Sequence, residues 1–290
     1  MKKSVIKDFF TQEFPLLMMM PALMWQVLFF YIPCTIILAL SFIKGCASVW
    51  GQGFSLDYYT ALLSIDYFII IARSLSFAFV NALFCLVIAY PAAYYLARKV
   101  KRRKNFFLFL LTLPFWTNVI VQIYAWFFVL EQNGLINTLL IKLGFIAKPI
   151  HMVNTMPSVF LVMIYCYLPF MIMPLYTALE KLDERLIESS YDLGANQWQT
   201  FFNVTLPLSM RGIKTGFFLV FVPSFGEFII PVLMGGSKNI FVGSLISHYF
   251  TTAYNSSQGA AFTLLSGSML LMSALMINRY FNKKAGIFRG

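Results

Sequence analysis

Six long apolar stretches constrain the fold of this chain more than any other feature of its 290 residues. A helix needs about 20 apolar residues to cross a bilayer, and within lipid only helices or closed barrels satisfy every backbone hydrogen bond. The stretches lack the alternation of barrel strands. The sequence therefore predicts an all-α polytopic membrane protein with a single transmembrane domain over residues 1–290. The predicted spans lie near residues 15–42, 69–97, 106–130, 156–179, 214–234 and 260–281.

The composition supports the same class of protein. Hydrophobic residues make up 60% of the chain and charged residues 11%, whereas a soluble domain has about 25% charged residues. The first apolar stretch is preceded by three lysines, as in a signal peptide. It is much longer than the roughly 7–15 apolar residues of a signal peptide, so we expect it to be retained as the first span.

Lys and Arg are distributed unevenly between the two sides of the predicted spans. Seventeen of the 22 lie near the termini, in the turn 98–104, or in and beside the loop 181–213. Cytoplasmic loops carry the excess of positive charge. We therefore place both termini and the loop 181–213 in the cytoplasm. The basic turn is short and lies between two spans, so it indicates contact with anionic lipid rather than nucleic acid.

The sequence lacks the common signatures of enzymes and metal sites. It has no G-x-x-x-x-G-K-[ST], H-E-x-x-H or G-x-S-x-G motif. Its four cysteines are scattered, and two histidines are too few for a histidine-based metal cluster. We expect a chain without catalytic residues, metal or cofactor.

Glu227 is the one carboxylate that falls well inside a predicted span, near residues 214–234. A charged residue at mid-helix costs about 2.5–3.5 kcal/mol on insertion scales, so it usually faces a cavity or a partner. Two interpretations stay open. The carboxylate lines a pathway for a cation, or it is bonded to a neighbouring helix or hydrated at the membrane interface.

Three aromatic residues in the third predicted span are further candidates for the pathway, namely Trp116, Tyr124 and Trp126. An aromatic face attracts an ammonium group by about 0.5–2 kcal/mol. Trp and Tyr also mark membrane interfaces by default, and that alternative stays open for each of the three.

A polar loop between the fourth and fifth spans carries the most specific motif. Glu188-Ser189-Ser190-Tyr191-Asp192-Leu193-Gly194 is followed, after nine residues, by Val204-Thr205-Leu206-Pro207. This pattern resembles the E-A-A-x-x-x-G, nine residues, I-x-L-P pattern of the cytoplasmic "EAA" loop in permeases of ABC importers. Two serines replace the alanines and a valine replaces the isoleucine.

The resemblance implies that the loop 181–213 forms two short helices that dock into a groove on a separate ATPase subunit. Gly194 would supply the turn that lets the two helices meet closely, a place suited to a residue without Cβ; the alternative is a simple helix C-cap. The residues that the motif assigns to coupling are Glu188, Ser189, Ser190, Asp192, Gly194, Leu206 and Pro207.

Further strings resemble a narrower group within that family. Leu113-Pro114-Phe115-Trp116-Thr117-Asn118, Leu168-Pro169-Phe170 and Gly226-Glu227-Phe228-Ile229-Ile230-Pro231 are similar to the first permease subunit of spermidine/putrescine importers. The similarity extends from the first span to the sixth. It implies the architecture of a type I ABC-importer permease, located in a bacterial inner membrane, that moves polyamines into the cytoplasm by alternating access.

The same resemblance implies the partners. They are a second permease subunit in a pseudo-twofold heterodimer, two copies of a cytoplasmic ATPase that bind the ATP, and an extracytoplasmic binding protein that delivers the polyamine. Membrane lipid surrounds the spans.

Other functions stay open at this stage. Related permeases of the same class carry other small solutes. A secondary transporter would also have kinked spans, although it usually shows internal repeats and several intramembrane ionisable groups. A membrane scaffold would need neither Glu227 nor the spacing of the EAA-like loop.

Overall fold

The computed structural model describes residues 14–43, 53–100, 102–236 and 240–287. Five of the basic residues used in the topology argument lie outside these ranges, namely Lys2, Lys3, Lys7, Lys101 and Arg289. In chain order the helices are α1 (Phe14–Gln26), α2 (Ile32–Leu40), α3 (Asp57–Leu62), α4 (Ile65–Arg98), α5 (Lys104–Trp116), α6 (Val119–Leu130), α7 (Leu135–Lys142), α8 (Met156–Glu180), α9 (Glu184–Asp192), α10 (Gln197–Thr200), α11 (Leu206–Gly226), α12 (Ile229–Gly235), α13 (Val242–Thr251) and α14 (Ser256–Ile287).

The predicted all-α class is confirmed. Within the described ranges the β structure is limited to an isolated antiparallel bridge between Ile43 and Phe54. Six helical stretches of this part of the chain are long and apolar enough to cross a membrane. They are Met19–Leu40, Ile65–Arg98, Val119–Lys142, Met156–Glu180, Gln197–Gly226 and Ser256–Lys283. Two five-residue π-helical segments, Val27–Tyr31 and Phe201–Thr205, occur along the first and fifth of these.

Two predicted spans are not continuous helices. The span predicted over 106–130 is broken after Trp116, because Thr117 is extended and Asn118 caps the next helix by accepting a hydrogen bond from the amide of Ile120. The span predicted over 214–234 is broken at Glu227, whose backbone is extended. Apolar residues flank both breaks, so hydropathy alone did not reveal them.

The chain divides into two compact units, each described here by itself. One comprises residues up to Ser64 together with His248–Leu265, and the other comprises Ile65–Ser247 with the residues from Ser266 onward. In the first unit, Tyr59 donates a hydrogen bond of 2.9 Å to Ser41 and stacks near Phe42. The single transmembrane domain over residues 1–290 stays a prediction.

The second unit is built on three helices, α4, α8 and α11, which pack against one another. Membrane helices approach closely where small residues line the contact. Gly212 is such a residue: a Cβ built on it would lie 2.5 Å from Ala178 Cβ and 2.8 Å from the carbonyl oxygen of Pro174. The absence of a side chain at position 212 therefore lets α11 lie directly on α8.

Two buried polar pairs join α4 to α11. Asn81 donates a hydrogen bond of 2.9 Å to Ser224, and the hydroxyls of Tyr90 and Ser209 are 3.0 Å apart. Such pairs stabilise one register of packing, because sliding the helices would leave buried polar groups without partners. Helix α4 is thereby held to α11 at two levels.

Candidate functional site

Glu227 lies at the break between α11 and α12. Its Oε1 accepts hydrogen bonds from the amides of Ile229 (3.0 Å) and Ile230 (3.4 Å), which begin α12. These are amides that a helix leaves without intrahelical partners, and the helix dipole favours a negative charge at that end. The carboxylate therefore stabilises the start of α12 and with it the broken conformation of the fifth span.

Tyr167 on α8 holds the other oxygen of the same carboxylate. Its hydroxyl donates a hydrogen bond of 2.8 Å to Glu227 Oε2. An ionised carboxylate offers about four lone-pair positions. The three donors Tyr167, Ile229 and Ile230 leave one acceptor position on Oε2.

The carboxylate faces a cavity of about 750 Å³ between α8 and α11. Its polar groups within the described residues are few: the Glu227 carboxylate, the hydroxyls of Tyr167 and Thr215, and the thiol of Cys166. Neither Lys nor Arg is among the lining residues, which are Val119, Cys166, Tyr167, Phe170, Thr215, Phe218, Leu219, Val222, Pro223, Glu227 and Ile230. A cavity with one negative charge and otherwise apolar walls suits a cation that also has an aliphatic chain.

The structure does not bring the three predicted aromatic residues to this cavity. Trp116 ends α5 with 78% of its surface exposed, and Tyr124 is 48% exposed on α6. Trp126 packs edge-on against Tyr165, with ring centroids 5.4 Å apart. Of the predicted pathway residues, Glu227 is the one that lines the cavity.

The aromatic residues that line the cavity instead are Phe218 on α11 and Tyr167 and Phe170 on α8. The ring centroids of Tyr167 and Phe170 are 6.1 Å apart, and those of Phe115 and Phe170 are 4.7 Å apart. The sequence held one signal for Tyr167: a tyrosine in mid-span must find a partner for its hydroxyl, and Glu227 is a mid-span acceptor.

The EAA-like loop forms the short helix α9 before Gly194 and the helical turn α10 after it, and α10 continues through Phe201–Thr205 into α11. Asp183 caps α9 by accepting a hydrogen bond of 3.0 Å from the amide of Arg185. Asn196 and Gln199 form a reciprocal capping box at the start of α10, with both hydrogen bonds at 2.8 Å. Ser190 joins the two helices, because its buried hydroxyl lies 2.8 Å from that of Thr200.

Gly194 has a different role from close packing between the helices. Its φ is +83° and a Cβ built on it would meet nothing within 4 Å. The amide of Ala195 donates to the carbonyl of Ser190 (3.0 Å) and that of Gly194 to Tyr191 (2.9 Å), which is the Schellman arrangement of a helix C-terminus. Glycine is needed here for its left-handed backbone, so the C-cap alternative describes the geometry.

The other residues of the motif divide between surface and interior. Glu188, Ser189 and Asp192 are exposed, while Leu206 and Pro207 are half-buried at the start of α11. Beside the exposed members lie two large apolar side chains, Leu193 with 89% and Trp198 with 73% of their surfaces exposed. Exposed apolar groups on a polar loop are typical of a protein contact.

Comparison with known proteins defines the class. Residues 86–286 match the family model described as "Binding-protein-dependent transport system inner membrane component". The chain belongs to this family of inner-membrane permease components.

The sequence is also similar to individual members of this family. The chain is 40% identical to the "Spermidine/putrescine transport system permease protein PotB" of Escherichia coli (strain K12) over 265 residues, which are 90% of this chain and 96% of that protein. It is 38% identical to the protein of the same description from Haemophilus influenzae, over 90% of this chain and 92% of the relative.

A solved structure supports the fold. A bacterial ABC transporter involved in the import of the acidic polysaccharide alginate superposes with a TM-score of 0.73, covering 97% of this chain and 99% of its own, at 17% sequence identity. At that identity the similarity speaks for the architecture of an ABC-importer permease, which is the predicted architecture.

Proposed function

We propose that this chain is a permease subunit of an ATP-driven importer that moves polyamines into the cytoplasm. The observation that carries the substrate class is the Glu227 carboxylate facing an apolar cavity of about 750 Å³. The relatives named for spermidine and putrescine transport support it from the sequence side.

The cavity chemistry favours an alkylammonium group. A unit charge at 4 Å from the carboxylate is attracted by about 4 kcal/mol at an effective dielectric of 20, which offsets part of the cost of removing an ammonium group from water. The free acceptor position on Oε2 completes a hydrogen bond, and the walls formed by Phe218, Leu219 and Val222 accommodate methylene groups. The same carboxylate would repel an anionic solute.

The loop 181–213 is proposed as the dock for the ATPase. Its support is the pair of short helices α9 and α10, the motif that they carry, and the exposed Leu193 and Trp198. Coupling would involve Glu188, Ser189 and Asp192 at the contact, with Ser190, Gly194, Leu206 and Pro207 shaping the loop. ATP would bind to two copies of the partner ATPase, and this chain would carry no catalytic residue.

The remaining partners are proposed from the family and from exposed apolar surface. The most apolar 18 residues of the stretch Met19–Leu40 have a mean hydropathy of 2.0, and none of them is buried. Lipid or a second permease subunit would cover it, the latter in a pseudo-twofold heterodimer. An extracytoplasmic binding protein would deliver the substrate, and both termini would lie in the cytoplasm of a bacterial cell.

The test is reconstitution of the chain with its neighbouring permease, ATPase and binding protein in proteoliposomes. We expect the ATPase to copurify and labelled putrescine or spermidine to accumulate with ATP. Uptake that needs an ion gradient but no ATP would instead indicate a secondary transporter. ATP-driven uptake of an uncharged or anionic solute, without polyamine uptake, would retain the class and refute the substrate.

A further inference from the structure

Arg98 ends α4 and contacts the segment that leads into the EAA-like loop. Its side chain is 9% exposed, its Nη2 donates a hydrogen bond of 2.9 Å to the carbonyl oxygen of Leu182, and its Nη1 lies 3.8 Å from Glu184 Oε1. Arg98 is the first residue of the basic turn 98–104, and neither membrane topology nor contact with anionic lipid accounts for its burial. One of its members is buried against the loop.

Leu182 lies where the fourth span passes into the coupling helix α9. Lys181 is the C-cap residue of α8 and Asp183 caps α9, so Leu182 lies at the joint between the two helices. A buried guanidinium group is costly unless it is hydrogen-bonded, and a charge-assisted bond is stronger than a neutral one. Arg98 therefore holds this joint to the end of α4.

The same helix reaches the break that carries Glu227. Asn81 on α4 donates to Ser224 at 2.9 Å, and Ser224 lies three residues before Glu227, which is about one helical turn. Between the two ends, the hydroxyls of Tyr90 and Ser209 meet at 3.0 Å. Helix α4 thus contacts the coupling loop at one end and the substrate cavity region further along.

The direct route along the chain is less regular. Between α10 and α11 lies the π-helical segment Phe201–Thr205, where the α-helical hydrogen-bond pattern is interrupted. Helix α4 contains no π-helical segment over Ile65–Arg98, although Pro91 within it lacks the amide of one backbone hydrogen bond.

We propose that α4 transmits the displacement of the coupling loop to the break at Glu227, with Arg98 as the positioning residue at its cytoplasmic end. The inference rests on the proposed function, since it takes the ATPase to move α9. In this arrangement the joint at Leu182 moves α4 through Arg98. The pairs Tyr90–Ser209 and Asn81–Ser224 pass the movement to α11.

The experiment compares two variants in the reconstituted importer, Arg98→Met and its matched control Lys104→Met. Lys104 belongs to the same basic turn and bonds to Glu180 at 2.5 Å, but it lies on α5 and is exposed to solvent more than Arg98. The measurements are ATPase retention, the rate of ATP hydrolysis, and labelled polyamine imported per ATP.

We expect Arg98→Met to retain the ATPase and hydrolyse ATP while polyamine imported per ATP falls about 5-fold or more, the range of a typical coupling energy. Arg98→Lys, which can still donate to the carbonyl of Leu182, should restore much of the ratio. Lys104→Met should keep the wild-type ratio. A wild-type ratio in an assembled Arg98→Met complex would overturn the proposal.

A second set of variants tests the proposal if Arg98→Met does not assemble. Tyr90→Phe removes one hydroxyl and leaves Ser209 bonded to the carbonyl of Leu206, so it should fold and lower the ratio. Asn81→Leu and Ser224→Ala should be non-additive in a double-mutant cycle of that ratio. Wild-type ratios in Tyr90→Phe, or additive effects in the cycle, would refute transmission through α4. Failure of the wild-type chain to bind an ATPase would refute the proposed function instead.

Discussion

Replacing Glu227 by Gln tests the proposed substrate pathway most directly. The amide keeps the shape of the side chain, and its oxygen can still accept from the amides of Ile229 and Ile230, which lie 3.0 and 3.4 Å from Oε1. The tyrosine hydroxyl of Tyr167 can accept from the new NH₂ group. The change therefore removes a unit charge from the cavity with little change in geometry.

The size of the effect follows from the one free acceptor position on Oε2. Direct attraction at 4 Å is about 4 kcal/mol at an effective dielectric of 20, but desolvation of both ions offsets part of it. A hydrogen bond to a charged group contributes a net of about 1.5–3 kcal/mol. At 1.4 kcal/mol per factor of ten, the ratio of maximal uptake rate to KM should fall about 10- to 150-fold.

The assay is uptake of labelled putrescine and spermidine by proteoliposomes that contain the complete importer, with ATP hydrolysis measured in parallel. Glu131→Gln is the matched control, because it removes an exposed carboxylate at the end of α6 and should leave uptake unchanged. Tyr167→Phe removes one of the three donors and should keep the complex assembled.

Two results would refute the reasoning about Glu227. Unchanged uptake efficiency in an assembled Glu227→Gln importer would remove the carboxylate from the pathway and weaken the case for a cationic substrate. Loss of assembly in Glu227→Gln and in Tyr167→Phe would show that the carboxylate acts by holding the broken helix to α8.

Three further predictions concern packing, the coupling loop and topology. Gly212→Ala places a Cβ 2.5 Å from a neighbouring side chain and should cost about 1–3 kcal/mol; the thermal unfolding midpoint should fall, whereas Gly267→Ala, where nothing lies within 4 Å, should not lower it. Gly194→Ala forces a Cβ onto a φ of +83°, costs about 1–2 kcal/mol, and should weaken ATPase retention in a pull-down; Gly144→Ala, with a φ of +77° outside the loop, should not. A cytoplasmic reporter fused after Gly290 should be active, and periplasmic reporter activity there would contradict the topology.

Local composition was sufficient to predict an all-α membrane protein and the number of its long apolar helices. Partition of a helix into lipid depends on the summed hydropathy of about 20 neighbouring residues, and that sum is readable from the chain. The resemblance of the EAA-like loop to permeases of ABC importers implied two short helices, and in the structure the caps Asp183 and Asn196 begin α9 and α10 by accepting from amides two or three residues away.

Hydropathy did not show where the spans break. Apolar segments flank the breaks at Thr117–Asn118 and at Glu227, and the breaks depend on the side chains of Asn118 and Glu227, which accept hydrogen bonds from backbone amides. The prediction that Gly194 is needed for close approach of the two helices was also wrong. A Cβ at this position would meet nothing within 4 Å, and the left-handed backbone is what requires the glycine.

Tertiary structure alone decided which residues meet. Tyr167 and Glu227 are 60 residues apart, and Arg98 and Leu182 are 84 apart. Each pair forms because α4, α8 and α11 pack in one register, which depends on the shapes of many facing side chains at once. Trp116, predicted from its type, stays at an exposed helix end, whereas Tyr167 reaches the carboxylate because α8 lies against the broken fifth span.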